Sequence, residues 1–248
     1  MVKSMHLHQI GAYLLGFSLA LASNSVLAQK PQVIGWIPAY GVDKSMQVLQ
    51  SNPHIPAGLT RIGLQFWNPS VDGKSVVLAP TTKNGQPLSP EEVRRVIAWA
   101  KQNHLQVLLT VYNNSQTTNK WDWELAKRAF KDNPKAFGAS LIATMQQFEL
   151  DGIDLDLEGE GNFEEDRASY AKFVKDLSIN LKKYKKLLTI DSFHSPCANA
   201  PNMSWWRDWQ GQVDAIHSMG YQDLYEGSTA SFAPENKPVC EGGAAIFK

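Results

Sequence analysis

The sequence is poor in cysteine and carries no excess of charge of either sign. Its 248 residues include two cysteines, and 24 basic residues balance 24 acidic ones. Without net charge or a long block of lysine and arginine, the chain gives no reason to expect a nucleic-acid partner. It also has neither a glycine-rich phosphate loop nor a Cys/His cluster with metal-site spacing, so we expect no cofactor and no metal.

Long hydrophobic runs are rare as well, and the clearest one lies at the N-terminus. Residues 10–22 (IGAYLLGFSLALA) follow Lys3, and Val26 and Ala28 occupy the −3 and −1 positions of a cleavage site. This pattern predicts a signal peptide over residues 1–28 and a secreted or periplasmic protein. The run is short for a membrane-spanning helix, so an uncleaved anchor is the weaker alternative, and we expect no stable anchor after cleavage.

Export would place both cysteines in an oxidising compartment. Cys197 and Cys240 lie in segments rich in Pro, Asn and Gly, which are typical of loops. We therefore expect them to pair as a disulfide, with two free thiols as the alternative.

Strand-like and helix-like segments alternate along the rest of the chain. In the helix predicted over residues 89–104, Ser89 and Glu92 predict a capping box and Pro90 fits the first turn. Such alternation predicts an α/β fold in which helices cover a parallel sheet. The predicted strands are 32–40, 58–67, 105–113, 149–161, 186–193 and 213–221, and the predicted helices are 89–104, 121–130, 134–149 and 163–184.

Residues 29–248 show no internal repeat, low-complexity segment or interdomain linker, so we expect a single domain. Six strands are visible, and a seventh could begin at residues 242–247. A complete (β/α)8 TIM barrel takes about 250 residues. We therefore expect such a barrel to be incomplete at its C-terminal end, or the chain to be a fragment of a longer one.

The fourth predicted strand, in ELDGIDLDLEGEG, alternates apolar and acidic residues. Because a strand has a period of two, Asp154, Asp156 and Glu158 should face the barrel interior, with Ile153 and Leu155 packed under helices. Neighbours on one face are roughly 6.6 Å apart, and three such carboxylates in a poorly hydrated interior cannot all be ionised comfortably. Glu158, nearest the C-terminal mouth, is best placed to donate a proton to a substrate.

Two other interpretations of this strand remain open. A solvated edge strand can alternate charges, but flanking helical segments predict that this strand is central and covered. The carboxylates could also bind a hard cation, although no second acidic or Asn-rich loop is placed to complete its coordination shell.

DGIDLDLE resembles the D-G-x-D-x-D-x-E signature of glycoside hydrolase family 18, the chitinase family. MGY at residues 219–221, ending the sixth predicted strand, resembles the family's Met-x-Tyr motif. The resemblance covers roughly residues 32–221 and implies a (β/α)8 barrel. It also implies a retaining mechanism in which the substrate's own acetamido group is the nucleophile, with no metal.

The resemblance implies a role for each motif residue. Glu158 would protonate the leaving oxygen and later activate water. Asp156 would bind the acetamide N–H and stabilise the charged intermediate, and Asp154 would share a proton with Asp156. Tyr221 would hold the acetamide oxygen, whereas Asp151 would order the start of the strand.

Several positions depart from the family pattern. The third predicted strand ends in TVYNN rather than Ser-x-Gly-Gly, so Tyr112 and Asn113 are expected to narrow the cleft. After MGY the family usually has Asp, but here Gln222 precedes Asp223. Met219 and Asp223 remain candidate substrate-binding residues.

Aromatic side chains near strand ends are the other candidate sugar contacts, because sugars stack on aromatic rings. For Tyr40, Trp67 and Tyr112 substrate binding and core packing are equally balanced alternatives, whereas Trp36 and Trp99 are expected in the core. His194, just past the fifth predicted strand, and Asp191 within it are weaker candidates, since a lone His is more often structural.

The predicted signal peptide and the resemblance together imply a secreted glycosidase acting on β-1,4-linked N-acetylglucosamine in chitin or chito-oligosaccharides, with peptidoglycan and N-glycans as competing substrates. The alternatives are a catalytically weak carbohydrate-binding barrel of the same family and a structural or non-functional fragment. Intact Asp154, Asp156, Glu158 and Tyr221 favour the enzyme.

Overall fold

The computed structural model describes residues 32–80, 85–114, 120–158, 164–192 and 209–218. These all fall in one compact unit that begins at Gln32. Several sequence predictions lie outside the described residues and stay predictions: the signal peptide over 1–28, the Cys197–Cys240 pair, the strand at 242–247, and the site residues His194, Met219, Tyr221 and Asp223.

A parallel sheet forms the centre of the described structure. Six strands are hydrogen-bonded side by side in the order β1-β2-β4-β5-β6-β7, and the short β3 pairs antiparallel with β2. The strands are β1 Ile34–Pro38, β2 Arg61–Pro69, β3 Val76–Leu78, β4 Gln106–Tyr112, β5 Gly152–Asp156, β6 Leu187–Ser192 and β7 Ala215–Ser218.

Helices connect the strands and cover one face of the sheet. They are α1 Val42–Ser51, α2 His54–Gly58, α3 Pro90–Gln102, α4 Trp123–Lys127, α5 Pro134–Gln147 and α6 Glu164–Lys183. A 3-10 turn, Ala39–Gly41, follows β1, and a π-helical turn, Arg128–Asp132, continues α4. No helix in the described parts of the chain is long and apolar enough to cross a membrane.

The α/β fold predicted from the sequence is confirmed, and the sheet curls as a barrel requires. Trp36 on β1 and His217 on β7 lie at opposite ends of the strand order, yet their ring centroids are 5.2 Å apart. A flat sheet would hold these two strands far apart, because neighbouring strands are spaced by about 4.8 Å. The described strands therefore curl around a common interior, as part of an incomplete barrel.

The predicted elements match the structure closely, with a few differences. Sequence patterns missed β3, α1 and α2, and the helix predicted over 121–130 is the short α4 followed by the π-helical turn. The capping box of α3 is present: Ser89 Oγ accepts from the Glu92 N–H at 3.2 Å, and the Glu92 carboxylate accepts from the Ser89 N–H at 2.7 Å.

The core lies between the sheet and the helices, as the alternation of apolar and acidic residues in the fourth predicted strand indicated. Ile153 and Leu155 of β5 are fully buried on the face that the helices cover. Gly152 lets β6 approach, because a Cβ there would lie 2.5 Å from the Leu187 carbonyl oxygen. The glycine of the D-G pair thus has a steric reason to begin the strand.

Candidate active site

Asp154 is a fully buried carboxylate held by three hydrogen-bond donors from three strands. Its Oδ2 accepts from Trp36 Nε1 of β1 at 3.0 Å and from Thr110 Oγ1 of β4 at 2.9 Å, and its Oδ1 accepts from Thr189 Oγ1 of β6. Burial alone would raise the pKa of Asp154, but the hydrogen bonds and charge of His217, followed by the donors Thr189 and Trp36, outweigh it and lower the pKa. Asp154 is therefore ionised in the fold.

Asp156, two residues further along β5, is a buried carboxyl that receives one N–H from the described residues. Gln65 Nε2 of β2 donates to Oδ2 at 2.5 Å, while no N–H reaches Oδ1. Burial raises the pKa of Asp156 to about 6, hydrogen bonds with Glu158 and Gln65 oppose this rise, and the charge of Asp154 adds to it. Its free oxygen can accept one further hydrogen bond.

Glu158 follows the end of β5 and is the protonated member of the Asp156–Glu158 pair. Burial raises the pKa of Glu158 to about 10, and the charge of Asp156 and a hydrogen bond to it contribute. At neutral pH Glu158 is thus a carboxylic acid beside an ionised Asp156. Two neighbouring carboxyl groups with pKa values pushed apart are the arrangement that general acid catalysis needs.

The backbone of Glu158 is held by the side chain of Asn113 at the end of β4. Glu158 N–H donates to Asn113 Oδ1 at 2.7 Å, and Asn113 Nδ2 donates to the Glu158 carbonyl at 2.5 Å. The same Nδ2 donates to the Asp122 carbonyl at 2.9 Å. Asn113 was expected to narrow the cleft, but it is fully buried and positions the residue that bears the acid.

Asp151, at the start of the strand, lies outside this cluster. Its carboxylate accepts from the Val107 N–H at 2.8 Å, and its own N–H donates to the Val107 carbonyl. It therefore ties β5 to β4, in agreement with the ordering role expected for it.

The family of the chain follows from these residues and from a match along most of its length. The family model of glycosyl hydrolases family 18 matches residues 32–238. The chain belongs to this family of glycoside hydrolases. No curated protein matches the chain.

Solved structures of chitinases share the fold. A class V chitinase from Pseudomonas fluorescens is 20% identical with a TM-score of 0.63 over 78% of this chain and 55% of that one. A Chromobacterium violaceum chitinase is 17% identical with a TM-score of 0.61, covering 76% and 55%. A mutant Cycas revoluta family 18 chitinase in complex with (GlcNAc)4 is 15% identical with a TM-score of 0.58, covering 76% and 55%. At these identities the likeness establishes the fold, and the chain spans about half the length of these structures.

Three aromatic residues of this family 18 chain lie around the mouth of the barrel. Tyr40, directly after β1, is 62% exposed. Tyr112 of β4 lies beside Asp156 of the neighbouring strand β5, and the two residues are in register. Burial and the nearby Tyr40 and Asp156 raise the pKa of Tyr112 to about 12. Trp121 is 41% exposed and packs edge-on against Tyr112 at 6.0 Å. Trp121 was missed by the sequence analysis, although an aromatic residue in a loop after β4 was the available signal.

Trp67, a candidate sugar contact, lies instead in the core between sheet and helices. It is 1% exposed, and its ring packs against Phe148 at 5.7 Å. The register of β2 against β4 shifts between Gln65 and Trp67, so Trp67 turns to the helix side although Gln65 faces the interior. No ring face of Trp67 is left for a sugar.

Trp36, expected in the core, instead contributes its indole N–H to Asp154. The other donors, Gln65, Thr110 and Thr189, were also missed by the sequence analysis. Each is a polar residue in an otherwise apolar strand, and this is the signal that could have identified them. Gly63 leaves room for two of the donors, because a Cβ there would lie 2.6 Å from Thr110 Oγ1 and 2.7 Å from the Trp36 ring.

Asp191 of β6 and His217 of β7 complete the buried polar group. Together with Asp154 they form the one cluster in the described residues whose ligand atoms lie close enough, within 4.8 Å, to hold a metal ion. His217 Nδ1 is 2.9 Å from Asp191 Oδ1, which is a hydrogen-bond distance, and Asp154 already accepts three hydrogen bonds. The cluster therefore has the geometry of a hydrogen-bonded network.

Proposed function

We propose that the protein is a secreted glycosidase that cleaves β-1,4 bonds next to N-acetylglucosamine by a retaining mechanism assisted by the substrate's acetamido group. One observation carries this proposal: along β5 and just after it, the carboxyl groups of Asp154, Asp156 and Glu158 follow one another towards the mouth, and no N–H of the described residues reaches Asp156 Oδ1. The lowered pKa of Asp154 and the raised pKa of Glu158 agree with it. Secretion rests on the predicted signal peptide over residues 1–28.

The charges of the three acids suit each step of such a reaction. Glu158 gives its proton to the glycosidic oxygen as the bond from C1 to that oxygen breaks, and the acetamide oxygen forms a bond to C1. The free Oδ1 of Asp156 accepts the acetamide N–H, and its negative charge stabilises the cationic oxazolinium intermediate. The Glu158 carboxylate then takes a proton from water, whose oxygen bonds to C1 and releases the acetamide.

Chitin and chito-oligosaccharides are the substrates we favour, because the structural neighbours are chitinases and one of them binds (GlcNAc)4. Peptidoglycan and N-glycans carry the same acetamido group and are the competing substrates. Exposed Tyr40 and Trp121 would offer ring faces to the sugars at the mouth.

The test is hydrolysis of N-acetylglucosamine oligomers and of peptidoglycan fragments, with products identified by mass spectrometry and the anomer of the first product by NMR. The protein should cleave next to an N-acetyl sugar and retain the anomer. Glu158→Gln should lose activity by about 10²–10⁴-fold, the usual contribution of a general acid.

The matched control is Glu149→Gln, which removes an exposed acid paired only loosely with Lys101 at 3.6 Å. It should keep full activity. Binding of oligomers without cleavage would support the carbohydrate-binding alternative instead, and inversion of the anomer would contradict the acetamide-assisted mechanism.

A further inference from the structure

Asp191 and His217 face each other from neighbouring strands and meet beside Asp154. The two residues are in register on β6 and β7. His217 Nδ1 lies 2.9 Å from Asp191 Oδ1 and 3.5 Å from Asp154 Oδ1. One ring nitrogen thus stands between two buried carboxyl groups, and the shorter contact, to Asp191, is at hydrogen-bond distance.

His217 is also fixed from its other side. Its ring meets the Trp36 ring edge-on at 5.2 Å, and Trp36 donates to the opposite oxygen of Asp154. The imidazole therefore contacts a second donor to Asp154 as well as the two carboxyl groups. The pair and Trp36 hold Asp154 from both sides.

The charges around this pair are almost all acidic. Among the described residues, His217 is the one basic side chain within ion-pair distance of Asp154 or Asp191. The titratable groups that interact electrostatically with the pair are Asp154, Asp156 and Glu158 on β5 and just after it, and Tyr170 on α6.

We propose that Asp191 and His217 act as a positioning pair that keeps Asp154 ionised and so places the shared proton of the acidic cluster on Asp156 and Glu158. This inference rests on the proposed glycosidase function. His217 Nδ1–H donates to Asp191 Oδ1, and Asp191, as a neutral acid, donates its own proton to Asp154. Neither residue touches substrate; both act through Asp154.

The directions of the pKa shifts agree with this proton arrangement. Burial, followed by the charges of Asp154 and Asp156 and a hydrogen bond to Asp154, raises the pKa of Asp191 well above its usual value. The pKa of Asp154 is lowered, despite burial, in part by the hydrogen bond and charge of His217. Both shifts therefore favour the same protonation state, in which Asp191 holds a proton and Asp154 is ionised.

The first test compares pH profiles of kcat/KM for the wild type and His217→Gln. Because His217 lowers the pKa of Asp154, its loss should let Asp154 take up a proton more easily, so the acid limb of the profile moves to higher pH. A shift of one to three units is expected, the usual effect of one nearby opposite charge on an Asp pKa. A purely structural role would lower activity and Tm but leave the midpoint of the acid limb in place.

Asp191→Asn is the matched variant on the other member of the pair. Its amide is neutral like the proposed acid and can still donate to Asp154 and accept from His217, so the midpoint should stay nearly unchanged. A midpoint that moves to lower pH would show that Asp191 is ionised in the wild type and would overturn the proposal. His54→Gln removes an exposed histidine of α2 and should leave the profile unchanged.

A measurement without substrate separates this inference from the proposed function. Carboxyl ¹³C NMR of the wild-type protein across the pH range reports the protonation state of each Asp directly. It does not depend on whether a variant folds. Asp191 should remain protonated at pH values where Asp154 is already ionised, even if no glycan is cleaved. Ionisation of Asp191 before Asp154 would overturn the positioning pair, whatever the substrate.

Discussion

Asp156 is a buried carboxyl that receives an N–H at one of its two oxygens. Gln65 supplies the bond to Oδ2 at 2.5 Å, and no N–H of the described residues reaches Oδ1. The site therefore keeps an acceptor atom without an N–H where the proposed substrate would offer its acetamide N–H.

Replacing Gln65 with Leu should shift the pH dependence of hydrolysis. Gln65 donates to the ionised form of Asp156, and this bond holds the pKa of Asp156 below the value that burial alone would give. In Gln65→Leu the pKa of Asp156 should rise, so the acid limb of kcat/KM should move to higher pH. The pH profile measures this shift.

Gln47→Leu is the matched control, since Gln47 lies exposed on α1. Its profile should coincide with that of the wild type. An unchanged midpoint in Gln65→Leu would mean that the bond to Asp156 does not set its proton affinity.

The elements that carry the site bring together residues distant in sequence. β4 supplies Thr110 to Asp154 and Asn113 to Glu158, and Asn113 also holds the Asp122 carbonyl in the loop before α4. Asp122 in turn caps α4 by accepting from the Leu125 N–H at 3.0 Å. The end of β4 thus links the general acid to the first turn of a helix.

Asn113→Ala should weaken catalysis more than substrate binding. Without the amide, the Glu158 backbone loses both of its hydrogen bonds to Asn113, and a misplacement of about 1 Å can cost roughly 10²-fold in rate. We expect kcat to fall by about 10- to 100-fold with little change in KM, together with a loss of about 1–3 kcal/mol in the free energy of unfolding. Steady-state kinetics and urea unfolding measure the two effects.

Asn103→Ala is the matched control, because Asn103 Nδ2 likewise donates to a backbone carbonyl, that of Trp99, at the end of α3. This variant should lose some stability and keep its kcat. If both variants lost activity in proportion to stability, Asn113 would be a structural residue alone.

Sequence predicted the acidic face of β5 because the period of a strand is local. Asp154 and Asp156 face inwards as the alternation required, and Ile153 and Leu155 face the helices. The period of two failed to place Trp67 correctly, because the register of β2 shifts after Gln65. That shift arises from the pairing with β4 and is not visible in the local sequence. The convergence of Trp36 and His217 on one carboxylate depends on the curl of the whole sheet, which no local pattern contains.

At the scale of the whole molecule, the acidic cluster should make folding stability fall as pH rises. The pKa of Glu158 is raised in the fold from an ordinary 4.5 to about 10, and those of Asp156 and Asp191 are raised as well. A raised pKa gives stability that is fully present below the ordinary value and is lost as pH rises towards the folded value. Asp154, whose pKa is lowered, acts in the opposite sense at acid pH.

Glu158→Gln should therefore flatten the pH dependence of stability between about pH 5 and 8. Each group that stays protonated in the fold but ionises in the unfolded chain lowers the free energy of unfolding by about 1.4 kcal/mol per pH unit. The variant lacks one such group, so it should be more stable than the wild type at pH 8 and similar to it near pH 4. Urea unfolding at a series of pH values measures the two slopes, with Glu149→Gln expected to follow the wild type. Equal slopes for wild type and Glu158→Gln would show that Glu158 ionises in the fold at neutral pH, and the general acid would then have to be sought elsewhere.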